Sequence, residues 1–314
     1  MSPLLDLSDR VVVVTGAGAG LGAAHARLLG SLGAAVVVND LGGAVDGSGT
    51  STSAADAVVA DIVAAGGRAV ASYDSVATQA GAQRIVGTAL EAFGRLDGVV
   101  NNAGVLRDRT LPKLSAEDIE LVLDVHLKGT IFVSQAAFPV MKEAGFGRFV
   151  HTASNSGIFG NFGQTSYAAA KAGIAGFSRA LAEEGARYGI TSNVLCPVAR
   201  TRMTDELLGD LADVVAPERV SPLVAALLSP QCQVTREVFS AAGGRYARIF
   251  SGLTEGWLAD PTAPADPEDV LASMDAILST GSFTVPANAG EELQLLAHVL
   301  TGREASGLAI GAGR

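Results

Sequence analysis

The chain has 314 residues, 48% of them hydrophobic, enough to bury one large core or a core with an appendage. Its 22 basic and 32 acidic residues give a net charge of -10 with no dense basic run, which argues against a nucleic-acid partner. Cys196 and Cys232 are its only cysteines and form no CxxC pair, which predicts neither a disulfide framework nor a metal site and fits a reduced, cytoplasmic protein. Asp6 and Asp9 interrupt the apolar residues near the start, and residues 311–314 resemble no lipidation or peroxisomal signal, so neither a leader nor a membrane anchor is expected.

Taken in order, residues 11–14, 35–38, 68–73, 98–101, 148–152 and 191–195 are short runs that read as buried strands. Between them lie stretches of helical length, such as 54–65, 80–93 and 119–142. This alternation implies βαβ crossovers and a doubly wound α/β domain of Rossmann type. In such a domain helices cover both faces of a parallel sheet, and ligands bind at the carboxyl ends of its strands. Residues 41–53, rich in Gly, Ser and Thr, are expected to form a surface loop longer than the usual βα connection.

Beyond Gly244 the rhythm stops. We therefore expect a dinucleotide-binding and catalytic domain over 1–244 and a small, mostly helical extension over 245–314. Within the extension, Asp266-Pro267-Glu268-Asp269 predicts a capped helix start, and Asn288 followed by Glu291 predicts a second.

The first chemical motif follows the first strand. Gly16, Gly20 and Gly22 fall in Thr15-Gly16-Ala17-Gly18-Ala19-Gly20-Leu21-Gly22, where glycines let the backbone turn sharply and approach a pyrophosphate. The N–H groups at the start of the next helix, around Leu21 and Gly22, supply positive dipole. Asp40 ends the second strand, where a carboxylate accepts hydrogen bonds from the adenosine ribose hydroxyls and repels a 2′-phosphate. No cation among Ala17, Gly18 and Ala19 offsets that repulsion, so NAD is favoured over NADP. Asp74, Ser75 and Val76 after the third strand, and Asn102, Ala103 and Gly104 after the fourth, are candidates for holding adenine and letting the nucleotide lie close to the backbone.

Ser154, Tyr167 and Lys171 carry the strongest signal. Tyr167 and Lys171 have i,i+4 spacing and share one helical face. A free tyrosine ionises near ~10, so a phenolate base at neutrality needs roughly 4 kcal/mol of differential stabilisation. A lysine ammonium and the positive nicotinamide ring can supply much of it, while Ser154 orients the substrate oxygen.

With these motifs in the order TGxxxGxG, NNAG, serine, YxxxK and Pro197, residues 8–245 resemble the short-chain dehydrogenase/reductase family. The resemblance implies that Lys171 also holds the nicotinamide ribose and that the Pro197–Thr201 region contacts the nicotinamide carboxamide. Val198 replaces the usual glycine after the proline, leaving Thr201 as the candidate contact. A narrower resemblance is to the dehydrogenase part of the type 2 peroxisomal multifunctional enzymes, the 17β-hydroxysteroid dehydrogenase type 4 group. Val38-Asn39-Asp40-Leu41-Gly42-Gly43, Tyr73-Asp74-Ser75-Val76, Leu106-Arg107-Asp108-Arg109 and Gly160-Asn161-Phe162-Gly163-Gln164 carry it. It implies NAD-dependent oxidation of (3R)-hydroxyacyl-CoA thioesters, with steroids accepted by some members. The chain would then be a stand-alone dehydrogenase, without hydratase or sterol-carrier domains.

His126 departs from the broad family's asparagine, whose backbone carbonyl holds a water that links the lysine to solvent. Two readings stay open: a retained backbone position, or an imidazole that joins the proton relay. Arg107, Arg109 and Lys113 are candidates for CoA phosphates. Free hydroxysteroid oxidation and a non-catalytic NAD-sensing regulator are the alternative functions, and the resemblance implies a homodimer built through the long helices.

Overall fold

In the computed structural model, which describes residues 5–44, 46–199, 214–260 and 262–301, the valine-rich runs form the middle of one eight-stranded sheet. Its strands are β1 (Val11–Thr15), β2 (Ala35–Asn39), β3 (Arg68–Ser72), β4 (Gly98–Asn101), β5 (Gly147–Thr152), β6 (Ile190–Val198), β7 (Val238–Ala242) and β8 (Arg245–Ile249). They lie in the order β3-β2-β1-β4-β5-β6-β7-β8. The first seven run parallel, and β8 returns antiparallel along β7. Val13 pairs with Val37 on one side and Val99 on the other, and all three are fully buried. A strand covered on both faces needs apolar residues at every position, which is why these runs do not alternate.

The helices are α1 (Gly20–Ser31), α2 (Ser53–Ala64), α3 (Gln79–Phe93), α4 (Ala116–Val122), α5 (Gly129–Ala144), α6 (Asn155–Phe159), α7 (Thr165–Gly185) and α8 (Ser221–Leu228). On one face Leu29 of α1, Val58 and Ile62 of α2 and Val224 of α8 pack with Val12, Val14, Val36 and Val38. On the other, Ile85 of α3, Val133 and Met141 of α5 and Leu181 of α7 pack with Val11, Val13 and Val37.

The single long helix expected over 119–142 is α4 and α5 joined by a π-helical turn, Leu123–Lys128. By length and composition alone the run Ala116–Ala144, of mean hydropathy 1.2, could cross a membrane. Its Val133, Ala137 and Met141 are instead buried against the sheet.

The chain divides into two units, Met1–Ile249 and Phe250–Arg314. Arg245–Ile249, just past the expected boundary at Gly244, pairs with β7. β8 escaped the sequence reading because its Arg245, Tyr246 and Arg248 are exposed, as suits an edge strand. The second unit holds a short antiparallel pair, β9 (Leu253–Thr254) and β10 (Phe283–Thr284), with helices α9 (Pro267–Ala272), α10 (Met274–Ile277) and α11 (Ala289–Thr301). Both expected helix starts form. Asp266 accepts from the Glu268 N–H at 2.9 Å, and Asn288 accepts from the Glu291 N–H at 3.1 Å. The Glu291 carboxylate reaches back to the Ala287 N–H.

Candidate active site

The carboxyl ends of β1 and β4 are bolted together. Thr15 Oγ1 accepts from the N–H groups of Asn102 (3.0 Å) and Ala103 (3.1 Å). In return Asn102 Nδ2 donates to the carbonyls of Thr15 (3.0 Å) and Gly16 (3.1 Å). The glycine-rich turn and the Asn102–Gly104 turn are therefore one structure. Gly16 lies at φ +63°, and a Cβ there would sit 2.7 Å from Ala103 Cα. A Cβ on Gly22 would sit 2.2 Å from the Gly16 carbonyl oxygen, so neither position admits a side chain.

At its N-terminus α1 has Ala19, which offers no side-chain cap, and no acidic residue in its first turn. The first N–H groups, including those of Leu21 and Gly22, are thus left for an anion. Asp40, at the end of β2, accepts from the Gly18 N–H at 2.7 Å through one oxygen and from the Gly42 N–H at 2.6 Å through the other. A carboxylate offers about four acceptor positions, so its orientation is set while capacity for two hydroxyls remains. A glycine cradle, an uncapped helix start and an oriented carboxylate along one sheet edge fit a nicotinamide dinucleotide.

Other expected contacts are partly committed elsewhere. Asp74 pairs with Arg84 at 2.6 Å, and its backbone carbonyl accepts from Asn39 Nδ2 at 2.9 Å. Ser75 Oγ accepts from the Ala77 N–H, and Val76 is buried against Gly129. Pro197 and Val198 end β6 opposite Ala241 and Ala242. Thr201 lies outside the described residues.

Ser154 follows β5 and caps α6, its hydroxyl accepting from the Ser156 N–H at 3.2 Å and donating to Asn155 Oδ1 at 3.1 Å. Tyr167 and Lys171 share one face of α7. Lys171 is buried, donates to the Thr152 carbonyl at 2.6 Å, and lies 5.5 Å from the centre of the Tyr167 ring. Burial lowers the ammonium to about 7, with the Cys196 thiol opposing. Tyr167 is pushed up to about 12 by burial, against a lowering hydrogen bond from Ser154, with Asp108 and Cys196 adding to the rise. The Lys171 amine faces the Thr152 carbonyl at 2.6 Å.

His126 lies on the π-helical turn and is 2% exposed. Its Nε2 is 3.1 Å from the Val105 amide nitrogen and 2.8 Å from the Val105 carbonyl oxygen. The ring stands edge-on to Tyr167, centroids 5.2 Å apart. Gly104 makes room for it, since a Cβ there would lie 2.4 Å from Cε1. Burial first, then the charge of Lys171, holds the imidazole well below its usual range. A neutral ring fastened to Val105 is what the geometry provides. Arg107 and Arg109 lean toward Asp118, at 3.8 and 3.4 Å, and Lys113 is exposed on the short turn Leu111–Lys113.

The sequence reading missed Thr15, whose only local sign was its place between a strand and the first glycine. It also assigned no role to Gln164, whose partners come from three separate segments.

A strand-edge dinucleotide cradle beside a serine, a tyrosine and a lysine defines an alcohol dehydrogenase of the doubly wound class. The short chain dehydrogenase family model matches residues 10–211, and the chain belongs to that family. It is an oxidoreductase acting on CH–OH groups of a small-molecule substrate with a nicotinamide cofactor. A short-chain type dehydrogenase/reductase of Mycobacterium tuberculosis is 49% identical, covering 85% of this chain and 93% of its own. The peroxisomal multifunctional enzyme type 2 of Drosophila melanogaster is 51% identical over 82% of this chain, but only 43% of that longer protein is spanned. A hydroxyacyl-CoA dehydrogenase of Mycobacterium tuberculosis is 38% identical over 86% of this chain and 94% of its own. Among solved structures, a short chain dehydrogenase from Mycobacterium avium superposes with a TM-score of 0.77 at 42% identity, covering 87% of this chain and 97% of that one.

Proposed function

We propose that the chain is an NAD-dependent dehydrogenase that oxidises a (3R)-3-hydroxyacyl-CoA, including steroid-derived acyl groups, to the 3-oxoacyl-CoA. The feature that supports the reaction is Ser154 just after β5 together with Tyr167 and Lys171 on α7, Lys171 reaching Thr152 at the carboxyl end of β5, the strand next to β4. The substrate class is supported by the hydroxyacyl-CoA dehydrogenase that matches over nearly its whole length. Asp40 supports NAD, because its charge repels a 2′-phosphate and no described cation pairs with it.

In this reading Ser154 Oγ donates to the substrate oxygen and orients the carbinol. Tyr167 takes the hydroxyl proton as a phenolate. Lys171 turns from the Thr152 carbonyl toward the nicotinamide ribose and the phenol, and His126 keeps Val105 and the Tyr167 ring in register. The cofactor, when bound, supplies the hydride acceptor and a positive charge near the phenol. Gly16, Gly20, Leu21 and Gly22 hold its pyrophosphate, Asp40 its adenosine ribose, and residues 74–76, 102–104 and 197–198 the remaining edges.

We further propose a homodimer, supported by the only partly buried Phe132, Phe138 and Val140 on α5. A cytoplasmic location is supported by two free cysteines, whereas the name of the Drosophila relative points to the peroxisome. The test of function is a screen that follows NADH formation with (3R)- and (3S)-hydroxyacyl-CoA beside a free 17β-hydroxysteroid. The (3R)-thioester is expected to turn over with the highest kcat/KM. A steroid preferred over every thioester would refute the substrate assignment.

A further inference from the structure

Two segments that carry the narrower resemblance, Leu106-Arg107-Asp108-Arg109 and Gly160-Asn161-Phe162-Gly163-Gln164, meet at one buried amide. Gln164 is 9% exposed and stands immediately before α7, the helix that carries Tyr167. Its Oε1 accepts from Ser156 Oγ at 2.7 Å and Asn161 Nδ2 at 3.0 Å. These two donors set the amide's orientation, so its Nε2 donates to Asp108 Oδ2 at 2.6 Å. The Ser156 N–H in turn donates to the Ser154 hydroxyl at 3.2 Å. One chain of polar contacts thus leads from Asp108 through Gln164 and Ser156 to the catalytic serine.

Asp108 itself is exposed beside this amide. The arginines on either side of it lean toward Asp118, and no described lysine or arginine pairs with Asp108. The other groups that bear on the phenol are Ser154, Lys171 on α7, His126 on the π-helical turn and the Cys196 thiol on β6. The thiol is pushed up to about 11 and the imidazole is neutral, so among the described residues Asp108 is the carboxylate that bears on Tyr167.

We propose that Asp108 is a specificity-determining residue that rejects substrates carrying an anionic group next to the reacting carbinol and admits those with a neutral carbonyl there. In a free 3-hydroxy acid the carboxylate is two bonds from the carbinol carbon, so it cannot be turned away from the catalytic pocket. A thioester keeps the same skeleton without the charge. This rests on the hydroxyacyl reading above and deepens it: the carrier's first task is to neutralise the acid.

The test compares Asp108→Asn with the parent, using a free (3R)-hydroxy acid and its N-acetylcysteamine thioester. Asparagine keeps an acceptor for Gln164 and removes only the charge. The ratio of kcat/KM for the acid to that for the thioester is expected to rise about tenfold or more, the scale of one unit charge acting across a partly solvated pocket. The ascending limb of kcat/KM with pH should also move to lower pH, because the phenol loses a charge that opposes its ionisation. A purely structural role would move neither. An unchanged ratio in a variant that folds like the parent overturns the proposal.

Should the variant not fold, the parent decides the matter. Added salt should improve the free acid relative to the thioester, and the absence of any such change overturns the proposal. If no hydroxyacyl compound is turned over, the substrate reading fails separately. The pH limb measured with any oxidised secondary alcohol then judges Asp108, a downward move supporting it and no move refuting it.

Discussion

The Lys171 ammonium donates to the Thr152 carbonyl at 2.6 Å, which ties a buried cation on α7 to the carboxyl end of β5. The contact compensates only part of the burial, and the amine is lowered to about 7. Below that pH the amine is protonated in both the folded and unfolded chains, and the burial penalty is present in full. Between about 7 and the unfolded value near ~10.4 the unfolded chain binds more protons, so stability rises with pH through this window. Lys171→Met should therefore be more stable than the parent at pH 7, on the order of 3 kcal/mol, and the gap should shrink toward pH 10. Thermal melts of the two chains across that range check it. A gap that does not change with pH would count against the assigned charge state.

Asp40 is held by Gly18 and Gly42 before any cofactor arrives. Asp40→Ala should raise KM for NAD by about tenfold, roughly 1.4 kcal/mol, and narrow the preference for NAD over NADP. Steady-state kinetics with both cofactors measure this. A variant with the parent's cofactor ratio would show that Asp40 does not face the ribose.

Asn102 closes the cradle through Thr15 and Gly16. Asn102→Ala leaves two backbone carbonyls short of a partner and should cost about 1–3 kcal/mol, lowering Tm and weakening cofactor binding together. Calorimetry with and without NAD tests the pairing of the two effects.

His126 Nε2 stands within reach of both the N–H and the carbonyl of Val105, and the neutral ring makes one of these two bonds according to its tautomer. His126→Gln, whose amide can also donate and accept, should keep most of the activity, and His126→Ala should lose about tenfold or more in kcat. Between pH 5 and 8 the parent's rate profile should contain no limb belonging to this imidazole. A limb that vanishes in His126→Gln would instead make His126 a titrating member of a proton relay.

What could be read from the sequence is what lies close together in it. Ser154, Tyr167 and Lys171, the glycine turn and Asp40 announce themselves through short spacings at the ends of strands. The parallel order of the sheet followed from the alternation of strands and helices. What could not be read arises from contacts between distant segments. Thr15 meets Asn102 across 87 residues, and Asp108 meets Gln164 across 56. The π-helical turn under His126 leaves no mark in an apolar helical pattern, and β8 looks like a polar loop because its outer residues face water. The pairing of Asp74 with Arg84 could not be read either, since it depends on where α3 lies.

The central claim is that the Tyr167 phenolate removes the substrate proton, and Tyr167→Phe tests it most directly. Phenylalanine keeps the ring against His126 and removes only the hydroxyl. With NAD and the best (3R)-hydroxyacyl thioester, kcat should fall by about 10²–10⁴-fold while NAD binding, followed by fluorescence titration, stays at the parent's level. Turnover near the parent's value with NAD still bound would contradict the mechanism.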